Sequence, residues 1–154
     1  MGTFLSFYFY FFLKAKIQTS AFAEFTESFL QYLIKAELGL LEARLEYENT
    51  LKKIDKFDVV LLSMGEDGHI ASLFPNHVYP EEQAVVVENN SPKSPKQRIS
   101  MSYQQLNKAH YIFKLIIGES KQQAVYLLQK DTSLPITKVI GEYDKLYFCK
   151  NAIC

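Results

Sequence analysis

The spacing of apolar residues changes several times along the chain, and each change predicts a different element. Residues 21–54 carry apolar side chains at steps of three and four among Glu, Ala and Lys, which predicts helix. Gly39 interrupts this stretch, so we predict two helices separated near it. Four mostly apolar runs are too short for helices and predict strands, while residues 98–101 predict further extended structure. These four runs are residues 59–64, 84–87, 110–117 and 145–149.

The segments between the runs predict helices and a loop. Residues 103–109 and 120–130 have helical composition, whereas residues 89–96 predict a loop through their Pro, Ser and Asn content. Strands alternating with helices predict an α/β fold, with a mainly parallel sheet flanked by helices in a doubly wound, Rossmann-like arrangement. Ligands bind such folds at the carboxyl ends of strands, where the loops 65–69 and 118–121 fall.

An aromatic and apolar run occupies residues 4–13. It is shorter than the roughly 20 residues that cross a bilayer, so it does not predict a transmembrane helix. It also lacks the basic start and small-residue cleavage site of a secretory signal. We interpret it as a buried or edge strand, and the alternative is translation from a start site other than the natural one.

Charge and cysteine content narrow the possible partners. Lys and Arg together number 17, as do Asp and Glu, so no basic field suggests nucleic acid and any anion site must be local. The two cysteines, Cys149 and Cys154, are too few for a disulfide framework and have no zinc-ligand spacing around them. We therefore expect a reduced, cytoplasmic protein that binds no membrane.

The loop Gly65-Glu66-Asp67-Gly68-His69 contains the residues best suited to chemistry. A histidine is mostly neutral at pH 7 and can take a proton from water during attack on an ester-like carbonyl. Asp67 could orient the His69 ring or stabilise the charge that develops on it. On spacing alone, a second interpretation stays open, in which the glycines serve a strand-to-helix turn and His69 and Asp67 cap the next helix.

Residues 58–75 (DVVLLSMGEDGHIASLFP) resemble the signature of 6-phosphogluconolactonases. Related glucosamine-6-phosphate deaminases share the Gly-x-Asp-Gly-His loop but normally continue with Asn-Glu-Pro, where this chain has Ser72-Leu73-Phe74-Pro75. Ser63 replaces the glycine that the family usually has. Further similar segments extend the resemblance over residues 41–154. They are residues 42–51, 91–95, 98–100 and 117–121.

The resemblance implies hydrolysis of 6-phosphogluconolactone to 6-phosphogluconate by water, without a metal or cofactor. His69 would be the general base and then the acid, supported by Asp67, and the amides of Gly65 and Gly68 would approach the lactone or its oxyanion. The phosphate would be bound by Arg98 and Lys121, although a solvated lysine and a chance arginine are the alternatives. His77 and His110 have no motif around them, and we interpret them as surface and core residues, respectively.

Two family elements are absent from residues 1–40, namely the Gly-Gly-x-(Thr/Ser)-Pro phosphate loop and an Asp-Glu-Arg element. We therefore expect a partial 6-phosphogluconolactonase domain over residues 21–154, after an atypical Phe/Tyr-rich segment at residues 1–20, and an incomplete fold. The alternatives are a hexosamine-6-phosphate deaminase or isomerase, and an inactive remnant that retains phosphosugar binding. The sequence does not predict the oligomeric state.

Overall fold

The computed structural model of the protein describes residues 34–130 and 133–153, together with the backbone of residues 12–13. The strands are β1 (Phe12–Leu13), β2 (Phe57–Ser63), β3 (Val85–Glu88), β4 (Arg98–Met101), β5 (Ala109–Ile116) and β6 (Tyr143–Phe148). The α-helices are α1 (Leu40–Leu51), α2 (Tyr103–Leu106), α3 (Gln122–Lys130) and α4 (Pro135–Lys138). Short 3₁₀ turns are Ala36–Leu38, Glu119–Lys121 and Lys150–Ala152.

The main sheet has the strand order β1-β2-β5-β6. β2 pairs in parallel with β5, and β5 in parallel with β6, while β1 pairs antiparallel with β2 at the edge. This arrangement confirms the predicted α/β fold with a mainly parallel sheet. Because β2 and β5 are parallel neighbours, the loops that follow them lie at the same edge of the sheet.

The extended segments β3 and β4 form a separate antiparallel ribbon, in which Glu88 lies opposite Arg98. They are joined by a loop without the crossover helix that parallel pairing requires, so the chain turns back and pairs with itself. The ribbon contacts α1. It therefore brings the segment that includes Arg98 to the site from outside the main sheet.

One face of the main sheet is buried and the other is half exposed. Side chains alternate across a strand, so Val60, Leu62, Ile112 and Ile116 share the buried face. They belong to one cluster with apolar residues of α1 and α3. The opposite face carries aromatic side chains that remain substantially exposed, namely Tyr111, Tyr143 and Tyr147.

The helices differ from the sequence predictions mainly at their ends. α1 begins directly after Gly39, whose φ is +84°, so the predicted start of the second helix is confirmed. Of the first predicted helix, residues 21–33 lie outside the described residues, and residues 36–38 form a 3₁₀ turn. α2 is shorter than predicted because β5 already begins at Ala109. The sequence analysis did not predict α4, in which Pro135 occupies the first turn, a position that tolerates proline.

Candidate active site

Backbone hydrogen bonds within the loop after β2 hold its two ends together. Met64 and Ile70 form an isolated antiparallel bridge across it. The Gly65 N–H donates to the His69 carbonyl at 2.7 Å, and the Gly68 N–H donates to the Gly65 carbonyl at 3.1 Å. These bonds fix the chain at the carboxyl end of a central strand, where a rigid loop can hold side chains in defined positions.

The structure brings together the two residues predicted to act as a catalytic pair. His69 Nδ1 is hydrogen-bonded to Asp67 Oδ1, and the His69 backbone N–H contacts the same oxygen at 3.4 Å. The His69 residue is only 3% exposed, whereas the Asp67 side chain is 32% exposed. Because the carboxylate accepts, Nδ1 carries the ring proton and Nε2 carries the lone pair, which is the tautomer a general base needs.

The surroundings of the pair favour a neutral imidazole beside an ionised carboxylate. Burial lowers the pKa of His69 below its ordinary value of 6.5, and the charges of Lys93 and Arg98 lower it further, against the opposing effect of Asp67. Burial is the largest single influence on Asp67 and would raise its pKa, but the side-chain and backbone hydrogen bonds with His69 and the charges of His69 and Lys93 together outweigh it and hold that pKa below 3.8. At neutral pH, His69 can therefore accept a proton.

Both glycines of the loop are required by close packing inside the protein. A Cβ on Gly65 would lie 2.1 Å from Cε1 and 2.2 Å from Nδ1 of His69. Gly68 has a φ of +85°, and its Cβ would lie 2.9 Å from Leu134 Cδ2. Since their N–H groups also donate within the loop, these glycines build the loop, and their predicted contact with the lactone stays a prediction.

Arg98 lies one aromatic ring away from His69. The Phe74 ring is 4.8 Å from the His69 ring, centroid to centroid, and the Arg98 guanidinium carbon lies 5.4 Å from the Phe74 centroid. Arg98 Nε and Nη2 donate to the carbonyls of Pro95 and Ser94, each at 3.0 Å. The predicted phosphate ligand thus also holds the loop before β4, and its role towards a phosphate stays a prediction.

Lys121 approaches the same edge from the loop after β5. Its N–H donates at 3.1 Å to the carbonyl of Gly118, a residue with a φ of +105°. Its charge helps to lower the pKa of Glu66, although the hydrogen bond from Lys93 is the larger cause. The predicted Lys121 and the loop after β2 are therefore electrostatic neighbours, as the parallel pairing of β2 with β5 requires.

Lys93 was missed as a site residue by the sequence analysis. Its Nζ lies 2.7 Å from Glu66 Oε1 and 4.0 Å from Asp67 Oδ1. The only sequence signal was its position in the segment 91–95, which resembles the family but was given no role. With Lys93, Arg98 and Lys121, the structure places three cationic side chains around a loop of a chain whose net charge is zero.

The other two histidines have carboxylate partners. His77 is partly buried, with Nδ1 2.6 Å from Glu88 Oε2. His110 Nδ1 lies 2.8 Å from Glu142 Oε2, and its side chain is 43% exposed. The prediction of His110 as a core residue is therefore wrong: it shares the face of Ile112, but it lies near the start of β5, where its ring meets Glu142, a side chain that is itself 50% exposed.

The described residues contain neither a metal-binding cluster nor a membrane-spanning helix. Within residues 34–130 and 133–153, no group of three or more His, Cys, Asp or Glu residues is placed to hold a metal ion. Across the same part of the chain, no helix has both the length and the apolarity to cross a membrane. Cys149 is a free thiol, and Cys154 lies outside the described residues.

The fold and the loop together define a class of protein: an α/β domain with a buried histidine hydrogen-bonded to an aspartate at the carboxyl end of a central parallel strand. The family model described as glucosamine-6-phosphate isomerases/6-phosphogluconolactonase matches residues 12–148. The chain belongs to this family, and the resemblance carried by residues 58–75 is confirmed.

Its relatives include several 6-phosphogluconolactonases. The chloroplastic 6-phosphogluconolactonase 3 of Arabidopsis thaliana is 33% identical over 132 residues, which cover 75% of this chain and 41% of the relative. The human 6-phosphogluconolactonase is 32% identical over 124 residues, covering 73% and 48%. The crystal structure of the Thermotoga maritima 6-phosphogluconolactonase has a TM-score of 0.67 and 31% identity, covering 75% and 53%. This chain thus spans about half the length of these relatives, or less.

Proposed function

We propose that this chain hydrolyses 6-phosphogluconolactone to 6-phosphogluconate. The observation that carries the proposal is the hydrogen bond between the buried His69 and the partly exposed Asp67, both held by the loop after β2. The names of the relatives support the choice of substrate and reaction. Cytoplasmic location remains a prediction, because the name of the Arabidopsis relative indicates the chloroplast.

In the proposed reaction, His69 Nε2 takes a proton from water as the water oxygen attacks the lactone carbonyl carbon. Asp67 stabilises the imidazolium that forms, because it accepts the Nδ1 hydrogen bond and stays ionised. The tetrahedral intermediate then breaks its bond to the ring oxygen, which receives the proton from Nε2. The imidazole is neutral again at the end of the cycle, so each turnover consumes one water and leaves the enzyme unchanged.

Lys93, Arg98 and Lys121 supply the positive charge for an anionic substrate in this proposal. Lys93 and Arg98 act electrostatically on His69, and Lys121 acts on Glu66 in the same loop. A phosphate is recognised by a planar guanidinium and by ammonium point charges. The same positive field favours the negative charge that develops on the lactone oxygen during attack.

The alternative of a hexosamine-6-phosphate deaminase or isomerase is disfavoured by the continuation of the loop. The segment Ser72-Leu73-Phe74-Pro75 resembles the lactonase continuation and not the Asn-Glu-Pro of the deaminases. Its Phe74 packs directly on the His69 ring. The alternative of a phosphosugar-binding remnant predicts binding without turnover. Lactone hydrolysis, binding without turnover and release of ammonia distinguish the three possibilities.

The test is the rate of disappearance of freshly generated 6-phosphogluconolactone with the purified chain, corrected for spontaneous hydrolysis. We expect acceleration that scales with protein concentration, and much weaker acceleration of gluconolactone, which lacks the phosphate. Binding of 6-phosphogluconate without any acceleration would identify a remnant. Release of ammonia from glucosamine 6-phosphate would identify a deaminase instead.

The pH dependence of kcat/KM should report the lowered pKa of His69. The neutral imidazole is the active form, so a lowered pKa keeps the enzyme active below pH 6.5 before protonation stops it. Lys93→Gln removes a charge that lowers this pKa and should move the acid limb to higher pH. Ionisation of the substrate phosphate is common to the wild type and the variant and cannot cause this difference.

Lys53→Gln is the control, because Lys53 is exposed and lies after α1. It should leave the acid limb of the pH profile unchanged. An unshifted acid limb in Lys93→Gln would contradict the prediction.

A further inference from the structure

A second carboxylate lies buried close to the candidate active site. Glu88, at the end of β3, is 5% exposed, and its Oε2 accepts from the Tyr79 hydroxyl at 2.7 Å and from His77 Nδ1 at 2.6 Å. Its Oε1 accepts from the Asn90 N–H at 2.6 Å. Burial alone would raise the pKa of Glu88, but these donors outweigh it and hold that pKa below 4.5. The group is therefore an ionised, fully bonded carboxylate.

The Tyr79 hydroxyl connects this carboxylate to the backbone of Phe74. It accepts from the Phe74 N–H at 2.9 Å. It lies 2.7 Å from Glu88 Oε2 and 3.3 Å from the Ser72 carbonyl, and a tyrosine has a single hydroxyl proton. The shorter contact takes the proton, so the bonds run in one direction, from the Phe74 N–H through the Tyr79 hydroxyl to Glu88.

Phe74 is the side chain that this network holds against His69. The Phe74 ring is 1% exposed and packs 4.8 Å from the His69 ring and 5.8 Å from the His77 ring, centroid to centroid. His77 therefore touches Phe74 on one side while its Nδ1 is held by Glu88. Tyr79 thus holds the Phe74 backbone, His77 packs against the Phe74 ring, and Glu88 is hydrogen-bonded to both Tyr79 and His77.

We propose that Tyr79, His77 and Glu88 are positioning residues for His69, acting through Phe74. They keep the Phe74 ring packed on the imidazole of His69. This packing shields the imidazole from bulk water and fixes its orientation. Their effect on turnover rests on the proposed lactonase function. Their effect on the His69 ring does not, because it follows from packing alone.

The charged groups that face His69 come from three segments. Asp67 lies on its own loop, Lys93 on the loop between β3 and β4, and Arg98 on β4. Tyr79→Phe removes the hydroxyl that holds the Phe74 N–H and changes none of these charges. A change in the pKa of His69 in this variant therefore reports a change in the burial of the ring.

The decisive measurement is the NMR titration of the His69 ring in the full chain, in wild type and in Tyr79→Phe. The chain has three histidines, so His69→Asn and His110→Asn variants assign the resonances. We expect the His69 pKa to rise towards 6.5 in Tyr79→Phe, because looser packing of Phe74 admits water. Tyr143→Phe is the matched control, since Tyr143 lies 54% exposed on β6, and it should leave the titration unchanged.

Kinetics provide the second readout. In Tyr79→Phe, kcat should fall about tenfold with KM nearly unchanged, less than the roughly 10²-fold loss that follows an ångström-scale displacement. Glu88→Gln, which keeps the side-chain volume, should lower kcat in the same way, whereas its effect on the His69 pKa combines greater exposure of the ring with the loss of a negative charge. An unchanged His69 pKa in a folded Tyr79→Phe protein would overturn the proposal, whatever happens to kcat. If wild type itself fails to hydrolyse the lactone, the proposed function fails, and the titration still decides this inference.

Discussion

Replacement of His69 by asparagine should reduce kcat for 6-phosphogluconolactone hydrolysis by about 10²- to 10⁴-fold, the usual contribution of a positioned general base. Asparagine cannot accept a proton from water at neutral pH, and it removes the pairing with Asp67. KM should change little, since the proposed phosphate ligands remain in place. Initial rates with fresh lactone, corrected for the spontaneous reaction, measure the effect.

His110→Asn is the matched control for this substitution. His110 is also paired with a carboxylate, Glu142, but it is 43% exposed and lies towards the beginning of β5, at the opposite edge of the sheet from the loop. Its replacement should leave kcat within about twofold of wild type, as for a surface substitution far from the site. Equal rates in His69→Asn and wild type would remove His69 from the mechanism, and equal losses in both variants would indicate a general loss of folding.

The candidate catalytic pair was predictable because its geometry is local. Asp67 and His69 are two residues apart, so their contact depends on the loop alone, and the buried run before it identified a strand that ends there. The positive φ of Gly68 is likewise a property that glycine signals directly. Each of these features depends only on residues within a short stretch of sequence. Such features can be predicted from the sequence pattern alone.

Contacts between distant segments could not be predicted in the same way. Lys93 and Glu66 are 27 residues apart, and their contact depends on where the ribbon of β3 and β4 packs. Residues 84–87 and 98–101 were correctly predicted as extended, but nothing in their own sequences specified that they pair with each other. The network of Tyr79 and Glu88 could not be predicted for the same reason, because it forms only when the ribbon is in place.

Burial on the main sheet shows the same limit. The sequence of β6 is apolar enough to predict a strand, yet all six of its residues are exposed in the part of the chain that the structure describes. A pattern within a strand predicts which side chains share a face, whereas burial depends on what other segments pack there. The apolar runs of β2 and β5 therefore predicted strands but not which of their faces is covered.

Substitution of Gly65 by alanine should have the second largest effect. The new Cβ would lie 2.1 Å from Cε1 and 2.2 Å from Nδ1 of His69, and 2.8 Å from Asp67 Oδ1. The His69 ring cannot simply move aside, because Asp67 holds it on one edge and Phe74 packs against it. We expect kcat to fall by about 10²-fold, as for an ångström-scale displacement, and stability to fall by about 1–3 kcal/mol through overpacking.

Gly141→Ala separates the loss of activity from the loss of stability. Its Cβ would lie 2.8 Å from Ile112 Cγ1, a milder clash than that at Gly65, in the core at the opposite edge of the sheet from the loop. Both variants should unfold at lower temperature, but below that temperature only Gly65→Ala should lose turnover. In a His69→Asn background, Gly65→Ala should cost little further activity, because residues that act as one unit are not additive. Full additivity, or equal activity loss in Gly141→Ala, would show that Gly65 does not act by making room for the imidazole.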